Sequence, residues 1–215
     1  MIKTIILDFD GVIVESVDIK HHAFRNLLPE YPEFQEQIMA YHLANNAISR
    51  YVKFKYIVEN ILGQQYDSHY EQRLNERFNS FTREQIIKCP FVPGAPEFLP
   101  YFSDKLPLYL VSATPLQELK IILEARQLLP YFKRVYEAPT QKGDIIKEIL
   151  SKEKFSPDEA IYIGDSREDY EAAREAGVIF AARVSGFNFD NLDVPKFDNL
   201  IEIQKFIVEY GHSEI

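Results

Sequence analysis

Short, mostly apolar runs recur along the chain with helix-like stretches between them: Ile5-Ile6-Leu7, Leu108-Tyr109-Leu110-Val111, Arg134-Val135-Tyr136, Ile161-Tyr162-Ile163 and Val178-Ile179-Phe180-Ala181. This alternation predicts a parallel sheet with helices on both faces, a doubly wound α/β fold of the Rossmann-like kind. Helix ends carry signals of their own. Pro115 suits a first helical position before Leu116, and Gly177 suits a C-terminal cap after Arg174.

Between the first and second runs, from about Val17 to Lys88, the apolar period is helical. Ala23-Phe24 with Leu27-Leu28, Ile38-Met39 with His42-Leu43, and Tyr51, Phe54, Val58 and Ile61-Leu62 recur near the helical repeat, and no strand stands out. Gly63 is placed to end a third helix, and Tyr66 to Ile87 to supply a fourth, strongly charged one. The stretch Phe91-Val92-Pro93-Gly94-Ala95-Pro96 returns the chain to the sheet. The expected division is a core of residues 1–16 and 88–215, interrupted by an all-helical unit over residues 17–87.

Composition narrows the setting. At 215 residues the chain can bury a full core and a modest second unit. The single cysteine, Cys89, excludes an internal disulfide, fits a reducing compartment and reads as a small inert hydrophobe. No apolar run approaches membrane-spanning length and the first residues carry no secretory pattern, so a cytoplasmic protein is expected. A formal net charge of -9 opposes binding to polyanions, so nucleic acid is not an expected partner. An anionic small molecule would need a locally positive pocket.

Candidate chemistry gathers where the strands end, which is where open parallel sheets bind ligands. Asp8 and Asp10 follow the first run two positions apart. Two carboxylates beside an apolar stretch cost free energy unless a cation or hydrogen bonds neutralise them. Gly11 lets the backbone turn sharply, and Val12-Ile13-Val14 supply none of the oxygen ligands a calcium loop requires. Ser112-Ala113-Thr114 ends the second run, Gly164-Asp165-Ser166-Arg167-Glu168-Asp169 ends the fourth, and Lys142 opens the helix between the third and fourth. Carboxylates suit Mg²⁺, a hydroxyl and helix N-terminal N–H groups suit a phosphate, and a lysine can balance both. Singly, each has a plainer reading: Ser112 as a helix cap, Lys142 as a solvated charge, residues 164–169 as a turn with an N-cap. Their order and shared position at strand ends favour a site.

In that order the segments resemble the four motifs of the haloacid dehalogenase-like hydrolases, carried by Asp8-Phe9-Asp10-Gly11-Val12, Ser112, Lys142 and Gly164-Asp165-Ser166-Arg167-Glu168-Asp169. The helical unit after the first motif is similar to the small cap domain of phosphoglycolate phosphatase and β-phosphoglucomutase relatives. The resemblance implies a Mg²⁺-dependent phosphatase acting on a small phosphorylated metabolite. Asp8 would form an aspartyl-phosphate. Asp10 would be general acid and base and, through its carbonyl, a metal ligand. Asp165 would bind the metal and Asp169 bind or orient it, while Ser112 and Ala113 would hold the phosphoryl group and Lys142 balance its charge.

Rival readings are a mutase of the β-phosphoglucomutase type and a noncatalytic phospho-ligand binder. Such mutases carry a His in the opening cap helix where this chain has Lys20, and a binder would be expected to have lost a nucleophile or a metal ligand, none of which is missing. Dehalogenases and phosphonate-cleaving relatives lack the second acid that Asp10 supplies. Substrate choice is expected at the turn from Asn45 to Arg50, where Asn45, Asn46 and Arg50, with Lys53 beyond, suit a hydroxyl-rich or carboxylated molecule. A solvated helix start capped by Ser49 is equally open. The stretch Ile48-Ser49-Arg50-Tyr51 resembles the caps of phosphatases of bacterial sugar-nucleotide and surface-polysaccharide synthesis, which implies a sugar phosphate over phosphoglycolate. His21, His22 and His42 show no metal-ligand spacing and read as cap-surface residues. Monomer and homodimer both remain open.

Overall fold

The computed structural model describes residues 1–45, 48–137 and 141–212. The apolar runs form β1 (Thr4–Leu7), β2 (Leu108–Ser112), β3 (Arg134–Glu137), β4 (Ala160–Gly164) and β5 (Ile179–Arg183), and a short β6 (Lys196–Phe197) joins them. All pair in parallel, in the order β3-β2-β1-β4-β5-β6. The order reverses between β1 and β4, and connections leaving in opposite directions open a crevice at the carboxyl ends of those two strands. β6 had no signal in the sequence, because two edge residues, one exposed and one half-buried, need no apolar run.

On the sheet faces lie α5 (Ala95–Ser103), α6 (Leu116–Ala125), α7 (Lys142–Glu153), α8 (Arg167–Ala176) and α9 (Leu200–His212). Successive strand side chains point to opposite faces. Ile5 and Leu7 therefore pack with Phe98, Ile122 and Ile203 of α5, α6 and α9, whereas Ile6 packs with Ile146, Ile149 and Ala173 of α7 and α8. Burial on both faces is what makes β1, β2 and β4 read as continuous apolar runs, whereas the edge strand β3 is exposed or half-buried throughout. Pro115 is the N-cap of α6, one position earlier than expected, and Gly177 ends α8 as the pattern implied.

Between β1 and α5 stand α1 (Val17–Arg25), α2 (Gln35–Ala44), α3 (Arg50–Tyr56), which runs on into one π turn, and α4 (Ser68–Lys88). They bury a core of their own that includes Phe24, Leu27, Met39, Phe54, Val58, Leu74 and Phe78. The side chain of Asp67 caps α4 by accepting from the Tyr70 N–H at 2.8 Å. The far end of α4 leaves this insertion, and Ile86 packs into the core under the sheet.

Candidate active site

The chain leaves β1 through a tight loop in which the Phe9 carbonyl accepts from the Ile13 N–H at 2.9 Å and the Gly11 N–H donates to the Val14 carbonyl at 2.8 Å. Gly11 has φ +75°, and a Cβ there would fall 2.0 Å from Asp165 Oδ2. Only glycine lets this loop lie so close to the end of β4. Arg183, buried at the end of β5, donates to the Gly11 carbonyl at 3.1 Å and pairs with Glu15, which pins the loop from the other side. Arg183 belongs to no recognisable motif, and its one signal in the sequence is a charge closing an apolar strand.

Carboxylate oxygens of Asp8, Asp165 and Asp169 lie within 4.8 Å of one another, and all three residues are buried. Lys142, the first residue of α7, bridges Asp8 at 2.9 Å and Asp169 at 2.6 Å. Asp169 also accepts from the Tyr162 hydroxyl and from the hydroxyl and N–H of Ser166. With its lone pairs so occupied, Asp169 is a structural anchor for Lys142 and for the start of α8. Asp165 accepts from the Ser185 hydroxyl at 2.6 Å.

Burial is the largest influence on these acids. It raises Asp8 to about 7, against the pull of Lys142 and with a further push from Asp169 and Asp10. Burial, with Asp169 and Asp8 beside it, holds Asp165 well above the usual carboxylate range. Asp169 ends below that range because Lys142 and its hydrogen bonds outweigh burial. One ammonium among three buried carboxylates leaves a deficit of positive charge, which such a site tolerates only with a cation or protonation. The donors are all hard oxygens, so the residues present fit Mg²⁺, with Asp8 and Asp165 the carboxylates best able to reach it.

The carboxylate of Asp10 belongs to a different set. It accepts from the Ser16 hydroxyl at 2.6 Å and the Thr114 hydroxyl at 3.2 Å, and it pairs with Lys20, which donates to Thr114 at 2.9 Å. Burial would raise Asp10, but the charge and hydrogen bond of Lys20 and the two hydroxyls bring it below its usual value. Asp8, Asp10, Lys20, Ala113, Lys142 and Asp165 line one cavity of about 50 Å³. Ser112 is buried beneath, its hydroxyl accepting from the Thr114 N–H at 3.1 Å. The Leu116 N–H at the start of α6, one of the groups expected to face a phosphate, donates to Glu137 instead.

The family profile of the haloacid dehalogenase-like hydrolases matches residues 5–183, from β1 through the last residue of β5. The chain belongs to this family. It is 24% identical to a 2-hydroxy-3-keto-5-methylthiopentenyl-1-phosphate phosphatase of Microcystis aeruginosa over 97% of this chain and 99% of that protein. It is 26% identical to a phosphoglycolate phosphatase of Aliivibrio fischeri over 87% and 86% of the two. A hydrolase from Pseudomonas syringae superposes with a TM-score of 0.76 over 96% of this chain and 98% of its own, at 19% identity. By class, the chain is a hydrolase of the phosphatase kind.

In this haloacid dehalogenase-like hydrolase the turn before α3 differs from expectation. The Asn45 amide is spent on the Tyr41 carbonyl at 2.8 Å, and Asn46 lies outside the described residues. Arg50 is no solvated helix start. It is buried and ion-paired with Glu118 of α6, while the Ser49 side chain makes no capping bond. His42 is likewise buried, not on the surface, because its ring stacks on Phe24 with centroids 4.0 Å apart. His21 is half-buried and His22 exposed.

Proposed function

We propose that this hydrolase is a Mg²⁺-dependent phosphatase that moves a phosphoryl group from a small phosphorylated metabolite to Asp8 and then to water. The observation that carries the reading is the single cavity joining Asp8, Asp10 and Lys142 to the cation-poor Asp165. An Asp8 oxygen forms a bond to phosphorus as the ester oxygen departs, taking a proton from Asp10. Asp10 then takes a proton from the water that attacks the same phosphorus and frees Asp8. An entering phosphate dianion beside Asp10 favours its protonated form for the first step, and Lys20 favours its carboxylate for the second.

Lys142 balances charge on Asp8 and the phosphoryl group, and Asp169 holds Lys142 in place. Ser112 and Ala113 shape the loop that receives the phosphoryl oxygens. Asp8, Asp165 and the Asp10 carbonyl would hold Mg²⁺, whose contribution is charge neutralisation and in-line positioning. Residues 17–87 act as a cap domain that covers the site, and residues 1–16 and 88–215 perform the chemistry. The single cysteine supports a cytoplasmic setting. The test is phosphate release from a generic aryl phosphate with Mg²⁺ and with excess chelator. Release that ignores the chelator removes the metal; no release from any of a panel of phosphorylated metabolites removes the phosphatase.

A further inference from the structure

The catalytic cavity continues in two directions. Lys20 and Ala113 line it and also a second cavity, of about 40 Å³, between the helical insertion and α6, where His42, Arg50, Lys53 and Glu118 stand. At Asp165 it meets a residue that belongs to none of the four motifs, Ser185.

The three acids at the strand ends are not held alike. Asp169 accepts from Lys142, Tyr162 and Ser166 and has little freedom left. Asp8 accepts from Lys142 at 2.9 Å and from the Phe9 N–H at 2.7 Å. Asp165 has one donor to its carboxylate among the described residues, the Ser185 hydroxyl at 2.6 Å. A carboxylate can accept about four hydrogen bonds. The single donor therefore restrains the Asp165 carboxylate and leaves its remaining lone pairs for a cation.

Ser185 follows β5 on an exposed stretch, yet its place is well determined. Two residues earlier Arg183 donates to the Gly11 carbonyl at 3.1 Å and to the Asp198 carbonyl at 3.3 Å and pairs with Glu15, while the Val184 N–H donates to the Phe197 carbonyl at 2.8 Å. Residues two apart on an extended chain face the same side, so Arg183 and Ser185 both turn toward the loop that leaves β1. Arg183 fixes that loop, and Ser185 fixes the acid against which the loop lies: a Cβ on Gly11 would fall 2.0 Å from Asp165 Oδ2, the same oxygen that Ser185 holds. The end of β5 thus sets the spacing of the two segments that carry Asp8 and Asp165. Ser185 lies beyond the residues that the family profile matches.

We infer that Ser185 is a positioning residue of the Mg²⁺ site: its hydroxyl holds the Asp165 carboxylate in the orientation that receives the cation, and metal affinity depends on it. The inference rests on the metal reading above and deepens it. Hydrogen-bond partners that orient metal ligands are worth about 10–100-fold in metal affinity. A donor also withdraws some charge from the carboxylate, which by itself weakens the hold on a cation. The two effects have opposite signs, so the direction of the change on removing the hydroxyl separates them.

The experiment titrates Mg²⁺ alone against the whole chain and follows thermal unfolding, with no substrate present. In Ser185→Ala the Mg²⁺ concentration for half-maximal stabilisation should rise by about 10–100-fold, whereas Ser185→Thr, which keeps the hydroxyl, should stay within about threefold of wild type. A second readout is phosphate release from an aryl phosphate over the same Mg²⁺ range: turnover that Ser185→Ala loses at low Mg²⁺ should return as Mg²⁺ is raised, which a merely structural defect would not show. A shift below about threefold, tighter binding by Ser185→Ala, or lost turnover that Mg²⁺ does not restore overturns the inference and leaves the metal reading in place. A wild type that neither gains stability from Mg²⁺ nor requires it for turnover removes both. Should Ser185→Ala fail to fold, Ser185→Thr against Ser185→Val carries the comparison, since the two match in shape and differ in the hydroxyl.

Discussion

The two cavities that meet at Lys20 are both built from buried charge, but they are out of balance in opposite directions. At the strand ends Asp8, Asp165 and Asp169 face Lys142; under the insertion Lys20, Arg50 and Lys53 face Glu118. Their construction also differs. Asp8 and Asp165 stand at the ends of strands hydrogen-bonded on both sides and Asp169 in the first turn of α8 just beyond β4, a frame stiff enough to hold like charges together. The cations are gathered between two units, with Arg50 on α3 reaching Glu118 on α6. The first arrangement suits fixed chemistry, and under the proposed cap role the second would suit a choice among ligands, because binding energy can be tied to closure.

The comparison breaks most sharply at Asp8. Asp8→Asn should reduce turnover to background, since an amide cannot supply the attacking oxygen, while thermal stability is kept or gained with one buried acid fewer. Phosphate release near the wild-type rate would end its role as nucleophile. Asp10→Asn is expected to cost about 10²–10⁴-fold in kcat, the usual worth of a positioned proton donor; a loss below tenfold would move the acid elsewhere.

On the cationic side, Glu118→Gln should destabilise the fold by about 3–5 kcal/mol in denaturant unfolding, because it strands Arg50 as a buried, uncompensated charge. The double change Arg50→Met with Glu118→Leu should recover most of that loss, and a double-mutant cycle that shows no coupling would dismiss the pair.

The smallest effect is a pH slope. Burial holds the Lys53 ammonium at a folded value of about 7 against the ordinary 10.5, so between those values the unfolded chain binds more protons and stability rises with pH. The penalty is fully present below about 7 and fades toward 10.5. His42 acts in the acid range: burial gives it a folded value of about 2 against 6.5, so stability falls as pH drops below 6.5. Unfolding midpoints of wild type and Lys53→Met measured from pH 7 to 10 should converge as pH rises, with the variant more stable at pH 7. Parallel curves would show that Lys53 is not desolvated as described.

The central sheet was legible because strands buried on both faces must be apolar throughout, and the meeting of Asp8, Asp165 and Asp169 was legible because parallel strands end on one side and the helix after β4 starts there. The helical insertion announced itself through its period. Partnerships across the two units were not readable, since nothing local joins Arg50 to Glu118 or brings Lys53 to His42. His42 misled because a histidine counts as polar in a pattern, although its ring packs as an apolar plate on Phe24. Lys20 was visible only as a departure from the mutase pattern, and its tie to Asp10 depends on how the loop after β1 folds back.

The Arg50–Glu118 pair also has a kinetic consequence. Both charges are almost wholly withdrawn from water, so if the proposed cap parts α3 from α6 to admit substrate or discharge product, the movement exchanges one dry contact for two hydrated ions. Dissolved salt screens hydrated ions far more than buried ones, and it therefore favours the parted form. Under that cap role, and with product release limiting turnover, an ion pair away from the reacting phosphorus would set the speed, and moderate ionic strength would act as an accelerator.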